Sequence, residues 1–185
     1  MVAVLVTGMS GTGTSAALDE LARRGFPVAD TDRSGLGVER WNADDRRVEQ
    51  LWDEDRVDEL LTRHEAARPG EPLFVGGCVS NQGRFYPRFG AVVLLSAPTE
   101  VLLERLGTRT SNDFGTTSAD RDRILADLAA VEPLLRAGAD AEIDTRAPLG
   151  EVADRLLAIA RRSIQNRRSC AGQLRRAAGW DRQCP

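Results

Sequence analysis

Residues 2–15 read VAVLVTGMSGTGTS, and this stretch decides the fold. The unbroken apolar run Val2–Val6 is what a strand buried on both faces requires, and Gly8, Gly11 and Gly13 follow it at once. Gly8 and Gly13 bracket four residues, and Ser15 stands at the offset of the phosphate-binding pattern G-x-x-x-x-G-K-[ST]. Glycines let successive backbone N–H groups curl inward, and the start of a helix adds its partial positive charge, so such a loop cradles anions. Ser15 would then ligate Mg²⁺. The lysine of the pattern is missing, because position 14 is Thr14. The same residues admit another reading. Gly11-Thr12-Gly13-Thr14-Ser15-Ala16 fits the dinucleotide pattern G-x-G-x-x-A, with Asp30 or Asp32 near the offset of a ribose-binding acid.

Outward from the loop, strands and helices alternate. Ala17, Leu18, Leu21 and Ala22 share a helix face that Gly25 stops, and Pro27–Asp30 is a second strand. Asp53 caps a helix to about Ala67; Leu73–Val75 and Ala91–Leu95 are further buried strands. Pro98 opens a helix carrying Val101, Leu102 and Leu106, another runs from about Ser118 to Ala137, and Ala141–Asp144 precedes a closing helix, Leu149–Arg162. This alternation predicts an α/β domain, a parallel sheet covered on both faces, with ligands at the carboxyl ends of its strands.

Composition narrows the chemistry. All 25 basic side chains in the 185 residues are arginine, so no lysine Schiff base and no phosphate-binding lysine can come from this chain. Hydrophobic residues at 42% and charged ones at 29% suit a soluble domain, and no run approaches the roughly 20 apolar residues of a membrane span. The N-terminus lacks a basic region and a cleavage site, and Cys78, Cys170 and Cys184 form neither a disulfide framework nor a zinc pattern, which together predict a cytoplasmic protein. Residues 161–185 hold seven arginines and one acid, a net of about +6 in a chain of net −3. This tail is either a solvated, frayed terminus or a contact for nucleic acid or an acidic protein partner.

Several candidate site residues fall at strand ends. Asp30-Thr31-Asp32 puts two carboxylates two residues apart, one suited to Mg²⁺ and the other to a substrate hydroxyl proton. Gly76-Gly77-Cys78 permits close approach of a ligand to backbone, or is simply a tight turn. A nucleophilic role for Cys78 lacks a partner, since the only histidine, His64, lies on a predicted exposed helix. Residues 80–89, SNQGRFYPRF, have the composition of a recognition loop in which Arg84 and Arg88 can clamp an anion. Arg105 and Arg109 flank Gly107 at the start of a polar stretch to Thr117 that suits a lid. Asp144-Thr-Arg-Ala-Pro148 is placed to border a base. Trp41 and Trp52 can line a pocket, although packing is the commoner use.

On Gly8–Ser15, "VADTD" around Asp30 and Asp32, Gly76-Gly77, "VVLLSAPTEVLLERL" with Arg105, and "IDTRAP" with Pro148, the chain resembles the nucleoside/nucleotide-kinase-like P-loop family, and within it shikimate kinase and related small-molecule kinases. The resemblance covers about residues 1–160, outside the tail. It implies a three-layer α/β/α P-loop NTPase fold with a five-stranded parallel sheet, a short substrate-binding segment after the second strand and a lid at about residues 107–117. It further implies ATP and Mg²⁺ as cofactors and transfer of a phosphoryl group to a small metabolite or nucleotide by a monomer or homodimer. The nucleotide would lie on Gly8, Gly11, Thr12, Gly13, Thr14 and Ser15, with Arg105 and Pro148 about the adenine. Asp30 would aid Mg²⁺ beside Ser15, Asp32 would take the acceptor's proton, and Arg109 would reach the phosphates from the lid. The acceptor would lie near Asp32, Gly76, Gly77, Arg84 and Arg88. Shikimate kinases carry three glycines where this chain has Gly76-Gly77-Cys78, which points to a different acceptor. With Thr14 in place of lysine, a catalytically weak nucleotide-binding sensor or scaffold is the alternative.

Overall fold

The buried run after Val2 becomes the centre of a sheet. The computed structural model describes residues 3–43, 46–108 and 118–177. Its first half comprises β1 (Ala3–Thr7), α1 (Thr14–Arg23), β2 (Val28–Asp30), β3 (Gly37–Asn42), β4 (Arg47–Trp52) and α2 (Glu54–Ala67). The second comprises β5 (Leu73–Gly76), a 3-10 helix (Gln82–Arg88), β6 (Ala91–Ser96), α3 (Thr99–Gly107), α4 (Ser118–Gly138), β7 (Ala141–Asp144) and α5 (Leu149–Ala177). Five strands form a parallel sheet in the order β2-β5-β1-β6-β7, with Val4 opposite Phe74 on one side and Ala91 on the other.

Alternate β1 side chains enter two cores, as the two-residue period of a strand dictates. Val4 and Val6 pack with Phe74, Val93 and Leu95 against Leu18 and Leu21 of α1 and Val152 and Leu156 of α5. Ala3 and Leu5 pack with Val75 and Val92 against Val57 and Leu61 of α2, together with Trp52, Phe85 and Phe89. Complete burial of side chains such as Leu5, Phe74 and Leu156 is worth about 1.5–3 kcal/mol each, so these two layers hold the sheet. A third, smaller cluster joins Leu102 and Leu106 of α3 to Ile124 and Leu128 of α4, with Met9 of the glycine loop against it.

Strand order bears on the dinucleotide reading. In a dinucleotide-binding sheet, order 3-2-1-4-5-6, the acid that binds ribose ends a strand adjacent to the one feeding the glycine turn. Here β5 lies between β1 and β2, so Asp30 ends a strand one place further out. The topology is that of a P-loop kinase, not of a dinucleotide fold.

Three features depart from the sequence expectation. Residues 37–52 form an antiparallel hairpin, β3–β4, pairing Trp41 with Val48 and Gly37 with Trp52. The recognition loop at residues 80–89 contains a 3-10 helix. The closing helix does not end near Arg162 but continues to Ala177. Among the described residues, no helix is long and apolar enough to cross a membrane.

Candidate active site

Gly13 has φ 90°, left-handed backbone that glycine adopts freely, and it caps α1 with no side-chain hydrogen bond. The first turn of α1 contains no acidic residue, so its free N–H groups and partial positive charge face outward unneutralised. Gly8 is required by crowding: a Cβ there would stand 2.5 Å from the Leu95 carbonyl oxygen and 2.6 Å from Thr12 Oγ1. Thr12 is buried and donates through both its backbone N (3.1 Å) and its Oγ1 (2.8 Å) to the Met9 carbonyl. That double bond closes the loop on itself. Thr14 Oγ1 lies 3.5 Å from Thr12 Oγ1.

Arg105 fixes the loop from behind. Its guanidinium donates to the Gly11 carbonyl (3.3 Å), to Thr145 Oγ1 (2.9 Å) and to the Thr145 carbonyl (2.7 Å). The loop, α3 and the turn after β7 are thereby one unit. Pro148 is exposed and starts α5, its carbonyl accepting from the backbones of Glu151 and Val152. The neighbouring Asp144 carboxyl is held at about 2, first by its hydrogen bonds from the Arg146 side chain.

The loop opens onto a cavity of about 660 Å³, within the range of small-ligand sites. Gly8, Gly11, Gly13, Thr14 and Ser15 form one wall, and Asp30 and Asp32 stand on the next. Asp30 Oδ1 accepts from the backbone N of Asp32 at 3.1 Å, which turns the chain. Its Oδ2 is buried without a hydrogen-bond partner, with Arg33 Nε no nearer than 3.6 Å. A buried carboxylate oxygen left in this condition is costly unless something else engages it. Asp30 suits Mg²⁺, which takes one or two carboxylates and completes its shell with water and substrate phosphates, not with a protein cage. Among the described residues no group of three or more His, Cys, Asp or Glu is placed to hold a metal ion.

The hairpin supplies the opposite wall through Arg47, Val48, Glu49 and Gln50, and α4 contributes Arg123 and Asp127. Asn81 anchors the hairpin as a strand would: Trp52 N donates to its Oδ1 (2.9 Å), and its Nδ2 donates to the Trp52 carbonyl (3.0 Å). Ser80 Oγ donates to Glu49 Oε2 at 3.2 Å, a further tie. Behind β1, the buried Gln82 accepts from Thr7 Oγ1 (3.2 Å) and donates to Tyr86 Oη (3.0 Å). The sequence reading of the site includes Trp41 and Trp52 of this hairpin and a substrate-binding segment after the second strand, but not Arg47–Gln50 or α4. The sequence carries only a weak signal for the hairpin: Val38, Trp41, Val48 and Trp52 are β-favouring residue types, but they do not alternate with polar ones.

Arg84 and Arg88 are corrected. The 3-10 helix directs both onto α2, where Arg84 donates to Glu54 Oε1 at 2.5 Å and Arg88 pairs with Asp58 and Thr62. Neither lines the cavity; each is engaged by an acid of α2 instead. The glycines at the end of β5 also have local reasons. A Cβ on Gly76 would strike Leu18, and one on Gly77 would strike Thr31 Oγ1 and lie 3.3 Å from Trp52. Gly77 borders the cavity as well. Cys78 is exposed at the same border, yet desolvation raises its thiol pKa above the ordinary value, with the Asp32 charge adding and a Thr7 hydrogen bond opposing. A raised pKa lowers the thiolate fraction at neutral pH, which does not favour a nucleophilic role. Trp52 is buried in the core and Trp41 is exposed. Arg109 and most of the lid stretch lie outside the described residues.

Comparison with known proteins agrees with this geometry. No curated protein matches the chain. Among solved structures, shikimate kinase from Acinetobacter baumannii in complex with shikimate is similar over 84% of this chain and 90% of that one, at 19% identity and a TM-score of 0.53. Shikimate kinase from Bacteroides thetaiotaomicron is similar over 92% and 98%, at 17% identity and TM-score 0.51. A gluconokinase from Sinorhizobium meliloti 1021 is similar over 89% and 94%, at 22% identity and TM-score 0.50. At these identities the likeness establishes the fold. The sequence profile of the AAA domain family matches residues 4–126, well over half of the chain and the whole of the glycine loop. With profile, strand order and loop in agreement, the chain belongs to the AAA domain family, built on the nucleotide-kinase-like P-loop fold.

Proposed function

We propose that the protein is a cytoplasmic, Mg²⁺-dependent kinase that moves the γ-phosphoryl group of ATP to a hydroxyl or phosphate of a small metabolite or nucleotide. The observation that carries this reading is the meeting on one cavity of the glycine loop, Asp32 and Asp30, whose buried Oδ2 has no hydrogen-bond partner. In it, the backbone N–H groups of Gly8–Ser15 hold the phosphates, and Ser15 and Asp30 would hold Mg²⁺, which would supply neutralisation of phosphate charge. Asp32, exposed at the cavity, accepts the proton of the acceptor hydroxyl as the acceptor oxygen bonds to the γ-phosphorus. The bond from γ-phosphorus to the bridging oxygen breaks, and its electron pair leaves with ADP. The hairpin, tied down through Asn81 and Ser80, orients the acceptor, and Arg105 with the turn before Pro148 receives the adenine end.

Thr14 favours a second reading, a nucleotide-binding protein with little or no turnover. A full positive charge about 4 Å from a phosphoryl oxygen is worth about 4 kcal/mol at an effective dielectric constant of about 20, nearly a thousandfold in rate. Helix-terminus charge, at about 0.3–2 kcal/mol, does not replace it. Incubation with γ-labelled ATP, Mg²⁺ and a metabolite extract separates the two. Label appearing in an acceptor supports the kinase, whereas MgATP binding with no label transferred to any acceptor, or to water, contradicts it and supports the second reading.

A further inference from the structure

The loop has lost a cation that no lysine elsewhere can replace, so the candidate replacements are the arginines on the cavity wall. Among the described residues these are Arg47, Arg105 and Arg123. Arg105 is committed to Gly11 and Thr145 through both terminal nitrogens. Arg47 sits on the hairpin beside Glu49, across the cavity from the loop's own side of the fold. Arg123 differs from both in how it is held. The residue after it, Ile124, and Leu128 one turn on are buried against Leu102 and Leu106, and Met9 of the glycine loop packs on the same cluster. The helix bearing Arg123 therefore shares one apolar cluster with α3 and with Met9 of the loop. A close-packed contact of that kind fixes position better than a mobile stretch does.

We infer that Arg123 takes the part of the missing lysine, pairing its guanidinium with the terminal phosphoryl group of a nucleotide held by Gly8–Ser15. The inference rests on the kinase reading above. Guanidinium suits the task chemically, being always charged and presenting a planar fork that matches phosphate oxygens. Asp127, one helical turn along, lines the same wall. Removing the arginine thus leaves α4 presenting only a carboxylate toward the phosphates, which sharpens the expected loss.

The test compares MgATP with MgADP, because a charge on the terminal phosphoryl group discriminates between them and a merely structural role does not. Calorimetric titration is made on the full chain as Arg123→Met, Arg123→Lys, Thr14→Lys and the double variant Thr14→Lys with Arg123→Met. Arg84→Met, whose partner is Glu54, serves as the control. Loss of a charge-assisted pair predicts that Arg123→Met lowers the preference for MgATP over MgADP about tenfold or more. Arg123→Lys retains most of it, and Thr14→Lys restores it in the double variant. Preference unchanged in Arg123→Met, or unrestored by Thr14→Lys in a variant with the parent's thermal midpoint, would overturn the assignment alone. An unmodified chain that binds neither nucleotide would overturn the kinase reading with it.

Discussion

Asp30 gives one oxygen to the Asp32 backbone N and keeps the other buried, 3.6 Å from Arg33 Nε, so its structural bond and its charge are separable by mutation. Asparagine at 30 keeps an oxygen for the Asp32 backbone N and loses only the charge. Asp30→Asn is expected to leave metal-free ATP affinity unchanged and to abolish most of the gain that Mg²⁺ brings, measured by calorimetry with and without the metal. Gly77 is bounded by protein atoms, and Gly77→Ala must displace Thr31 or Trp52. The cost is expected to be about 1–3 kcal/mol, read from denaturant unfolding. At this scale, what the sequence could disclose was spacing along one segment. The offsets of Gly8, Gly13 and Ser15, and of Asp30 and Asp32, are local, and they brought out one wall of the cavity. Arg84 and Arg88 were misread because an arginine among amides and aromatics looks the same beside a phosphate as beside Glu54 or Asp58. Those partners lie some thirty residues away and belong to the tertiary fold. At Gly76 the packing reason was likewise hidden, since Leu18 reaches it from another element.

At the scale of elements, α1 and α2 began and ended where capping chemistry places them. Asp53 accepts from Arg56 N at 3.2 Å, and Gly25, with φ 87°, terminates the turn after α1. The hairpin was less legible: its apolar residues do not alternate, and its buried end depends on Trp52 meeting Phe85 edge-on at 5.4 Å. Because Arg84 and Glu54 are exposed, their ion pair should contribute about 0–1 kcal/mol, and Arg84→Ala should leave nucleotide affinity unaltered. A stronger electrostatic device joins α1 to α5, where Arg24 bonds Glu20 of its own helix, Asp154 and the Gly150 carbonyl. Glu20 is held at about 2, against an ordinary 4.5, first by Arg23 and then by Arg24. A depressed folded-state value means this contribution is complete above about 4.5 and is lost as pH falls toward 2. Glu20→Gln should accordingly be less stable than the parent at neutral pH and converge with it near pH 2, in midpoints measured by thermal unfolding. A gap that persists undiminished at pH 2 would remove Glu20 from this role.

For the whole molecule, alternating strands and helices implied a parallel sheet, but only the pairing of β1 with both β5 and β6 distinguished a P-loop kinase sheet from a dinucleotide one. Strand order is set by which apolar faces meet, information spread over the full chain. It also explains the cavity. Placing β5 between β1 and β2 spaces Asp30 and Asp32 away from the loop and leaves room that the hairpin and α4 enclose. On the function proposed above, this cavity holds nucleotide by its phosphates on a backbone cradle that works without lysine. The most direct measurement is calorimetric titration with ATP, adenosine and NAD in the presence of Mg²⁺. ATP should bind at least about tenfold more tightly than adenosine, since charge-assisted hydrogen bonds to phosphate add well over 1 kcal/mol, and NAD should bind no better than adenosine. Equal affinity for ATP and adenosine, or a preference for NAD, would contradict the account.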